Sequence, residues 1–404
     1  MSTICLLGRQ PAIGLAELES LYGATAVTPL DHHAALVEAD VDFARLGGSI
    51  KAAQYLTTLE TTNPQKVFDY CRRALPEYLQ DFPEGKIKLG VSLYGLDMPV
   101  MKINANTLTL KKVIKSAGRS VRAIPNTEIA LSSAQTYHNA LTSPVGLELI
   151  FVRSGETTLV GHVSHVQNID SYTARDRSRP KRDAFVGMLP PKLAQVIINL
   201  ANGGLRAEDG ATSSHTVLDP FCGTGVILQE AALMGYTVYG TDLSPKMVDY
   251  SRANLDWLQH RSNLPVPPFT STLGVADATG YNWDLSSLVL PPSSLSIACE
   301  GYLGQPLGGQ HPTAEKLAEI IHDTNAVMRG FLRNIAPQLT AGTRLCIAAP
   351  AWFVDDTLHH LPVVDDLAAL GFDRIDFTRA SSLDLIYRRE DQLTGRELLV
   401  LTKK

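Results

Sequence analysis

The alternation of apolar and polar residues divides the N-terminal part of the chain into short strands and amphipathic helices. It predicts a strand at "TICLLG", a helix at "GLAELESLYG" and a second strand at "AALVEAD". The stretch "FARLGGSIKAAQYLTTLE" predicts a further helix and strand, and Asn63-Pro64 marks a new start. Residues 1–62 are therefore expected to form a small α+β unit.

The same alternation continues to residue 166 and predicts a second α+β unit. The helices are expected at "PQKVFDYCRRALPEYL" and "ANTLTLKKVIKSAGRSV", the second with a basic face, and a strand at "KIKLGVSLYG". Two closing strands, "LELIFVRSG" and "TTLVGHVSHVQ", flank Gly155. Residues 167–190 have the composition of a loop with a dense basic run and predict a linker before a third region, 191–404.

The third region carries a strand, a glycine turn and a helix in "TVLDPFCGTGVILQEAALMG". Gly223 and Gly225 allow the backbone to turn tightly and to approach a ligand at the start of the helix. The next strand, "TVYGTD", ends at Asp242, and the separation from Asp219 (242 − 219 = 23 residues) fits one βαβ unit with an acid placed for ribose hydroxyls.

The glycine turn distinguishes between cofactors. A dinucleotide fingerprint needs a third glycine where this chain has Leu228, and a phosphate-binding loop needs a lysine that does not follow Gly225. The remaining pattern, acid-x-x-x-Gly-x-Gly, is typical of class I methyltransferases that use S-adenosylmethionine. A third strand, "TSTLGVADATGYNW", offers Asp277 for the adenine amine, unless it is a surface-loop aspartate.

Composition describes an ordinary globular chain of two or three domains: 404 residues, 45% hydrophobic and 19% charged. No run approaches the ~20 apolar residues that cross a bilayer, and no basic leader is present, so a cytoplasmic protein is expected. The five cysteines lie far apart without a C-x-x-C pair, and no H-E-x-x-H arrangement occurs. Neither disulfides nor a metal site are expected.

A net charge of −5 argues against a generic nucleic-acid binder. The basic residues nevertheless form two clusters, each either a solvated face or part of an RNA-binding surface. The first cluster contains Lys111, Lys112, Lys115, Arg119 and Arg122, and the second contains Arg175, Arg177, Arg179, Lys181 and Arg182.

Three segments resemble the tRNA guanine N2-methyltransferases that modify guanosine 10: "DPFCGTGVILQEA", "RPKRDAFVGMLPPKLAQVIINLA" and "IYRREDQLTGRELLVLTK". The resemblance implies a ferredoxin-like domain over 1–62, a THUMP-like RNA-binding domain over 63–166, and a Rossmann-like methyltransferase domain over 191–404. The fold class is thus α/β, with a mostly parallel seven-stranded sheet after an α+β region. The implied partners are S-adenosyl-L-methionine and tRNA, and the need for an activator subunit stays open.

The resemblance also implies roles for individual residues. The cofactor would be held by Asp219, Phe221, Gly223, Gly225, Asp242, Leu243, Asp277 and Ala278. The RNA would be contacted by Lys111, Lys112, Lys115, Arg119, Arg388 and Asp391.

The segment "IACEGYLG" departs from the family, which has an acid or amide, two prolines and an aromatic residue at this strand end. The alignment places Glu300 at the acid and Gly301 and Tyr302 at the prolines. Guanine N2 is a poor nucleophile, so the enzyme has to accept hydrogen bonds from the amine and hold the base. Glu300 and Tyr302 are therefore predicted as catalytic residues of a rebuilt site.

Three alternatives stay open. The enzyme could methylate an amine of another RNA base or of DNA, or the chain could bind S-adenosylmethionine and RNA without transferring a methyl group. The C-terminal "YRREDQLTGRE" is either a hairpin with Thr394-Gly395 in its turn or part of the substrate mouth. Trp352 and Phe353 could stack on a base or pack in the core.

Overall fold

The computed structural model describes residues 2–183, 189–204, 215–261, 266–285, 294–305, 312–354, 357–389 and 392–404. The chain divides into two compact units. The first unit comprises residues 1–11, 24–44 and 48–170, and the second comprises 12–23, 45–47 and 171–404. Within the described ranges, no helix is both long enough and apolar enough to span a membrane.

The first unit is built on an eight-stranded sheet with the order β2-β3-β1-β4-β8-β7-β5-β6. The strands are β1 Thr3–Leu7, β2 Val27–Leu30, β3 Ala34–Val37, β4 Ser49–Leu59, β5 Ile87–Tyr94, β6 Val121–Ala123, β7 Gly146–Ser154 and β8 Thr157–Val166. The helices up to residue 177 are α1 Pro11–Tyr22, α2 Pro64–Tyr78, α3 Val100–Ser116, α4 Ser133–His138 and α5 Ile169–Arg177.

Most of the predicted N-terminal elements are present, with two differences. Only a single 3₁₀ turn, Phe43–Arg45, occupies the place of the helix predicted before β4, because Gly47 and Gly48 follow directly and do not favour a helix. The α5 helix lies inside the segment expected to be a linker. The proposed 1–62 and 63–166 domains share one sheet through the β4–β8 pairing, and their boundaries stay a prediction.

The α1 helix belongs to the second unit although it lies near the start of the chain. Its Glu17 is fully buried and accepts hydrogen bonds from the Gly47 N–H at 2.9 Å and from the Asn199 side-chain amide at 2.8 Å. Ser20 of α1 donates to the Asn199 carbonyl. These buried polar contacts satisfy groups that would otherwise be costly to bury, and they fix α1 on the helix that carries Asn199.

The second unit is built on a nine-stranded sheet with the main path β11-β10-β9-β12-β13-β17-β15. Its strands are β9 Thr216–Asp219, β10 Thr237–Asp242, β11 Ser271–Val275, β12 Leu295–Glu300, β13 Arg344–Val354, β14 Thr357–His359, β15 Phe372–Arg374, β16 Ile386–Tyr387 and β17 Thr394–Lys403. Its helices are α6 Pro191–Asn202, α7 Val226–Leu233, α8 Pro245–Gln259 and α9 Ala314–Ile335.

Strands β9 to β13 of this path are parallel, and β17 runs antiparallel between β13 and β15. The parallel strands read as apolar runs because helices cover the sheet, as the complete burial of β9 and the near-complete burial of α6 demonstrate. An open sheet of this kind binds ligands at the carboxyl ends of its parallel strands. The predicted α/β class with a Rossmann-like second part is confirmed.

The structure narrows two of the alternatives that the sequence leaves open for the C-terminal segment. Thr394 and Gly395 do not form a hairpin turn, because both lie in β17 and pair with Trp352 and Ala351 of β13. Trp352 is not available for stacking on a base: it is 1% exposed and packs in the apolar core. Phe353 is half-buried and lies under the Arg388 guanidinium, 4.0 Å from the ring centre.

Candidate functional site

A cavity of about 1030 Å³ lies at the carboxyl ends of β9, β10 and β12 in the second unit. All predicted cofactor residues except Gly225 line it, and so do both predicted catalytic residues. Each of the three strands ends on an acid, namely Asp219, Asp242 and Glu300. The parallel register aligns these strand ends, so residues far apart in the sequence reach one site.

The loop after β9 adopts the predicted ligand-binding turn. Gly223 and Gly225 have positive φ angles of 51° and 80°, which side chains other than glycine rarely adopt. Gly225 is the N-cap of α7, and its N–H donates to the Cys222 carbonyl at 2.7 Å. The Ser251 hydroxyl of α8 donates to the Gly223 carbonyl at 2.8 Å and holds the turn against that helix.

Asp242 links the second strand to the glycine loop. Its Oδ2 accepts the Gly223 N–H and its Oδ1 accepts the Ser244 N–H, both at 2.9 Å. Burial raises the pKa of Asp242, and these two N–H groups oppose the rise. The carboxylate is thereby held at the rim of the cavity, where the sequence predicts ribose binding.

Asp219 is almost completely buried beneath the loop. Its Oδ1 accepts the Phe221 N–H at 3.1 Å. Burial raises the pKa of Asp219 well above its usual range, and the neighbouring Asp242 and Glu300 carboxylates raise it further. A buried acid of this kind gains from a nearby positive charge on a ligand.

Asp277 follows the third strand and lies at the exposed end of the cavity. Its Oδ1 accepts the Thr279 hydroxyl at 2.7 Å and the Thr279 N–H at 2.9 Å, and these bonds lower the pKa of Asp277. Leu243, which follows Asp242, is 71% exposed and also lines the cavity. An exposed leucine on a cavity wall provides apolar surface on which a flat ring can pack.

The divergent segment after β12 projects into the same cavity. The Gly301 N–H donates to the Ala348 carbonyl at 3.0 Å and extends the strand pairing by one bond. A Cβ at position 301 would lie 2.6 Å from the Met328 methyl group, so any larger residue would require the Met328 side chain to move. Tyr302 is 45% exposed and faces the cavity, and Gly304 has a φ of 81°.

Several cavity residues, among them Lys246, Asp183 and Ser244, were not predicted as site residues. Lys246 and Asp183 form an ion pair at 2.9 Å at the cavity wall, and Ser244 lies beside Asp242. Asp183 falls in the "RPKRDAF" segment, one of the three that resemble the tRNA guanine N2-methyltransferases, so the sequence contained a signal for this residue. Arg396, which donates through Nε to Glu300, was also missed, because the two residues are 96 positions apart.

None of the predicted RNA residues that the structure describes lines this cavity. Lys112 and Lys115 of α3 are exposed, Lys111 is half-buried, and all three belong to the first unit. Arg119 donates to the Phe82 and Pro83 carbonyls, so part of its guanidinium holds a loop. Arg388 is in the second unit over Phe353, and Asp391 lies outside the described residues. The role of these residues stays a prediction.

The lining of the cavity suits a ligand that carries positive charge. It contains the carboxylates of Asp183, Asp219, Asp242, Asp277 and Glu300, whereas Lys246 is the one cation among the described lining residues. S-adenosylmethionine has a sulfonium and an ammonium group, an adenine ring and ribose hydroxyls. The acids, the exposed Leu243 and the glycine turn provide a matching partner for each of these parts.

Comparison with known proteins agrees with the geometry. Residues 179–263 match the family model UPF0020, described as an RMKL-like methyltransferase domain. Two curated relatives are named tRNA (guanine(10)-N2)-dimethyltransferase. The protein from Methanothermobacter thermautotrophicus is 33% identical over 177 residues, which is 43% of each chain. The protein from Methanocaldococcus jannaschii is 36% identical over 173 residues, 41% of this chain and 43% of the relative.

The match to each of these relatives spans less than half of its length. The crystal structure of TrmN from Thermus thermophilus aligns over 100% of this chain and 99% of that one, with 18% identity and a TM-score of 0.49. The strand order and the glycine loop give the second unit a Rossmann-like fold, and its residues 179–263 match a methyltransferase domain.

Gly225→Ala is expected to weaken S-adenosylmethionine binding by at least about tenfold. A Cβ at this position would lie 2.8 Å from the Ser251 hydroxyl in a backbone conformation with a φ of 80°, which would cost about 1–3 kcal/mol of loop strain. Isothermal titration calorimetry measures the effect. Gly280→Ala is the matched control, because a Cβ there meets nothing within 4 Å. The affinity of this variant for S-adenosylmethionine is expected to equal that of the wild type.

Proposed function

We propose that this protein is an S-adenosylmethionine-dependent tRNA methyltransferase that methylates the N2 amine of a guanosine, with guanosine 10 as the target that the curated relatives' name suggests. The observation that carries the proposal is the placement of Glu300 and Tyr302 in the same cavity as the acid and glycine residues of the cofactor loop. An acceptor for an amine and an aromatic ring for a base thus lie beside a methyl-donor site.

The cofactor would be held by residues whose contacts are fixed within the second unit. Asp242 offers its carboxylate to ribose hydroxyls, Asp277 to the adenine amine, and Leu243 packs on the ring. Asp219 and the glycine loop face the methionine part. When it is bound, S-adenosylmethionine supplies a methyl group on a positively charged sulfur. An amine can attack the methyl carbon in line, and the sulfur leaves with the electrons of the broken C–S bond.

Glu300 is the residue that meets the amine. Guanine N2 has little basicity because its lone pair is drawn into the ring, so its nitrogen becomes acidic as it gains a methyl group. A carboxylate oxygen that accepts an N2–H orients the lone pair towards the methyl group and takes the proton that the product has to lose. Tyr302 would hold the base by stacking, which is worth roughly 1–3 kcal/mol per base.

The first unit would hold the RNA. Lys112 and Lys115 are exposed on α3 and provide positive charge for phosphate groups, and a folded RNA is recognised mainly through its shape and backbone. The proposed THUMP-like domain lies in this unit, and so does the proposed ferredoxin-like domain apart from residues 12–23 and 45–47. A cytoplasmic location is proposed because tRNA is the proposed substrate. Whether an activator subunit is needed is decided by measuring the activity of the purified protein alone.

Incubation of the purified protein with tRNA and methyl-labelled S-adenosylmethionine tests this function. We expect label in the tRNA, and nucleoside mass spectrometry is expected to identify N2-methylguanosine or its dimethylated form. If the label were confined to another nucleoside, guanine N2 would not be the methylated atom and that nucleoside would be the target. Cofactor binding without labelled tRNA would reject methyl transfer by this chain acting alone.

A further inference from the structure

Arg396 connects the C-terminal strand to the divergent active-site segment. It lies in β17, opposite Pro350 of β13 and Tyr387 of β16, and its side chain reaches across β13 to the end of β12. There its Nε donates a hydrogen bond to Oε1 of Glu300. The two side chains are 10% and 16% exposed, so this ion pair is largely screened from solvent.

Only one oxygen of Glu300 is engaged by this contact. In the part of the chain that the structure describes, Oε2 has no hydrogen-bond partner, and Glu300 is one of the residues that line the cavity. Because a carboxylate is planar, fixing Oε1 also fixes the direction of Oε2. The carboxylate therefore has one oxygen held by the protein and one oxygen available to a substrate.

The contact gives Glu300 a positive neighbour in a cavity that is rich in acids. Asp219 at the end of β9 is close enough to interact with Glu300, and Asp242 is a further acid of the same cavity. A guanidinium at hydrogen-bond distance offsets the repulsion between neighbouring carboxylates. Arg396 supplies this positive charge across β13.

We infer that Arg396 is a positioning residue of the methyl-transfer site, which holds Oε1 of Glu300 and directs its Oε2 towards the exocyclic amine of the substrate base. The inference rests on the proposed function and deepens it. Without the Arg396 contact, no hydrogen bond within the described residues would hold the Glu300 side chain in one rotamer.

Replacement of Arg396 is expected to change turnover rather than binding. Displacing a positioned group by about 1 Å costs roughly 100-fold in rate, so Arg396→Met should lower kcat by about that factor. The KM for tRNA and the Kd for S-adenosylmethionine are expected to stay within about threefold. Arg396→Lys retains the charge without the fork geometry, and its kcat should lie between those of the wild type and Arg396→Met.

A matched control distinguishes positioning from support of the sheet. Arg374 of β15 pairs with Glu397 of β17 at 2.9 Å, and its side chain is also partly buried, but it does not line the cavity. Arg374→Met is expected to lower stability while leaving kcat close to that of the wild type. If both arginine variants lowered kcat in parallel, Arg396 would be a structural residue and the inference would be wrong.

The double variant with Glu300→Gln gives the most direct readout. If Arg396 acts through Glu300, Arg396→Met should reduce kcat little further in the Glu300→Gln background. Losses that multiply would overturn the inference, and so would a folded Arg396→Met with wild-type kcat. Should Arg396→Met not fold, Arg396→Lys takes its place in the same cycle. Absence of transfer by the wild-type protein would instead reject the proposed function itself.

Discussion

Glu300→Gln is expected to lower kcat for methyl transfer to tRNA by about 100- to 10,000-fold, the range for loss of a proton-accepting group. The amide oxygen of the new side chain can still accept the Arg396 Nε–H, so the fold around β12 should be retained. Its NH₂ group would then occupy the place of Oε2, where it can neither accept a hydrogen bond from the base amine nor take its proton.

Cofactor binding distinguishes this effect from general damage to the cavity. The Kd for S-adenosylmethionine should stay within about twofold, because Asp242, Asp277 and the glycine loop are unchanged. Glu315→Gln, at an exposed position in the first turn of α9, is the control and should retain full turnover. A Glu300→Gln protein that retains wild-type kcat would remove Glu300 from the mechanism.

Lys51→Met should destabilise the first unit by about 3–5 kcal/mol, the typical effect of removing one partner of a buried ion pair. Lys51 is 1% exposed, and its Nζ donates to Glu148 Oε1 at 2.6 Å and to the Leu131 carbonyl at 2.8 Å. Burial lowers the pKa of Lys51, and Glu148 opposes this effect. Without the lysine, the fully buried Glu148 carboxylate would keep only the Ser92 and Thr136 hydroxyls as partners among the residues that the structure describes.

Hydrogen–deuterium exchange of peptides from β5 and β7 measures this loss within the unit concerned. The double variant Lys51→Met/Glu148→Met should regain most of the stability, since it removes both charges. Glu156→Gln is the control in the same sheet, because the Arg153–Glu156 pair is exposed and worth at most about 1 kcal/mol. Faster exchange in the control than in Lys51→Met would contradict this account of the network.

The cofactor loop could be predicted from the sequence because its determinants are local. Asp219, Gly223 and Gly225 are close neighbours in the chain, and the strand and helix around them have clear periodicity. The second acid, Asp242, follows at the spacing of one βαβ unit. The structure brings these residues to one cavity, and their binding role is a matter for experiment.

Features that depend on distant residues were not predictable in this way. The α1 helix reads as part of an N-terminal domain, whereas Glu17 and Asn199, 182 positions apart, join it to the second unit. The dipeptide Thr394-Gly395 is typical of a turn, but both residues lie in β17 because they pair with Trp352 and Ala351 of β13. The Glu300–Arg396 pair likewise requires knowledge of which strands flank β12.

Methyl transfer to two synthetic tRNAs that differ in one nucleoside tests the central claim most directly. One carries guanosine at position 10, and the other carries inosine, which lacks the 2-amino group but keeps the rest of the base. The account predicts label in the guanosine tRNA and none at position 10 of the inosine tRNA. Equal labelling of both, or labelling of neither by a protein that binds S-adenosylmethionine, would contradict it.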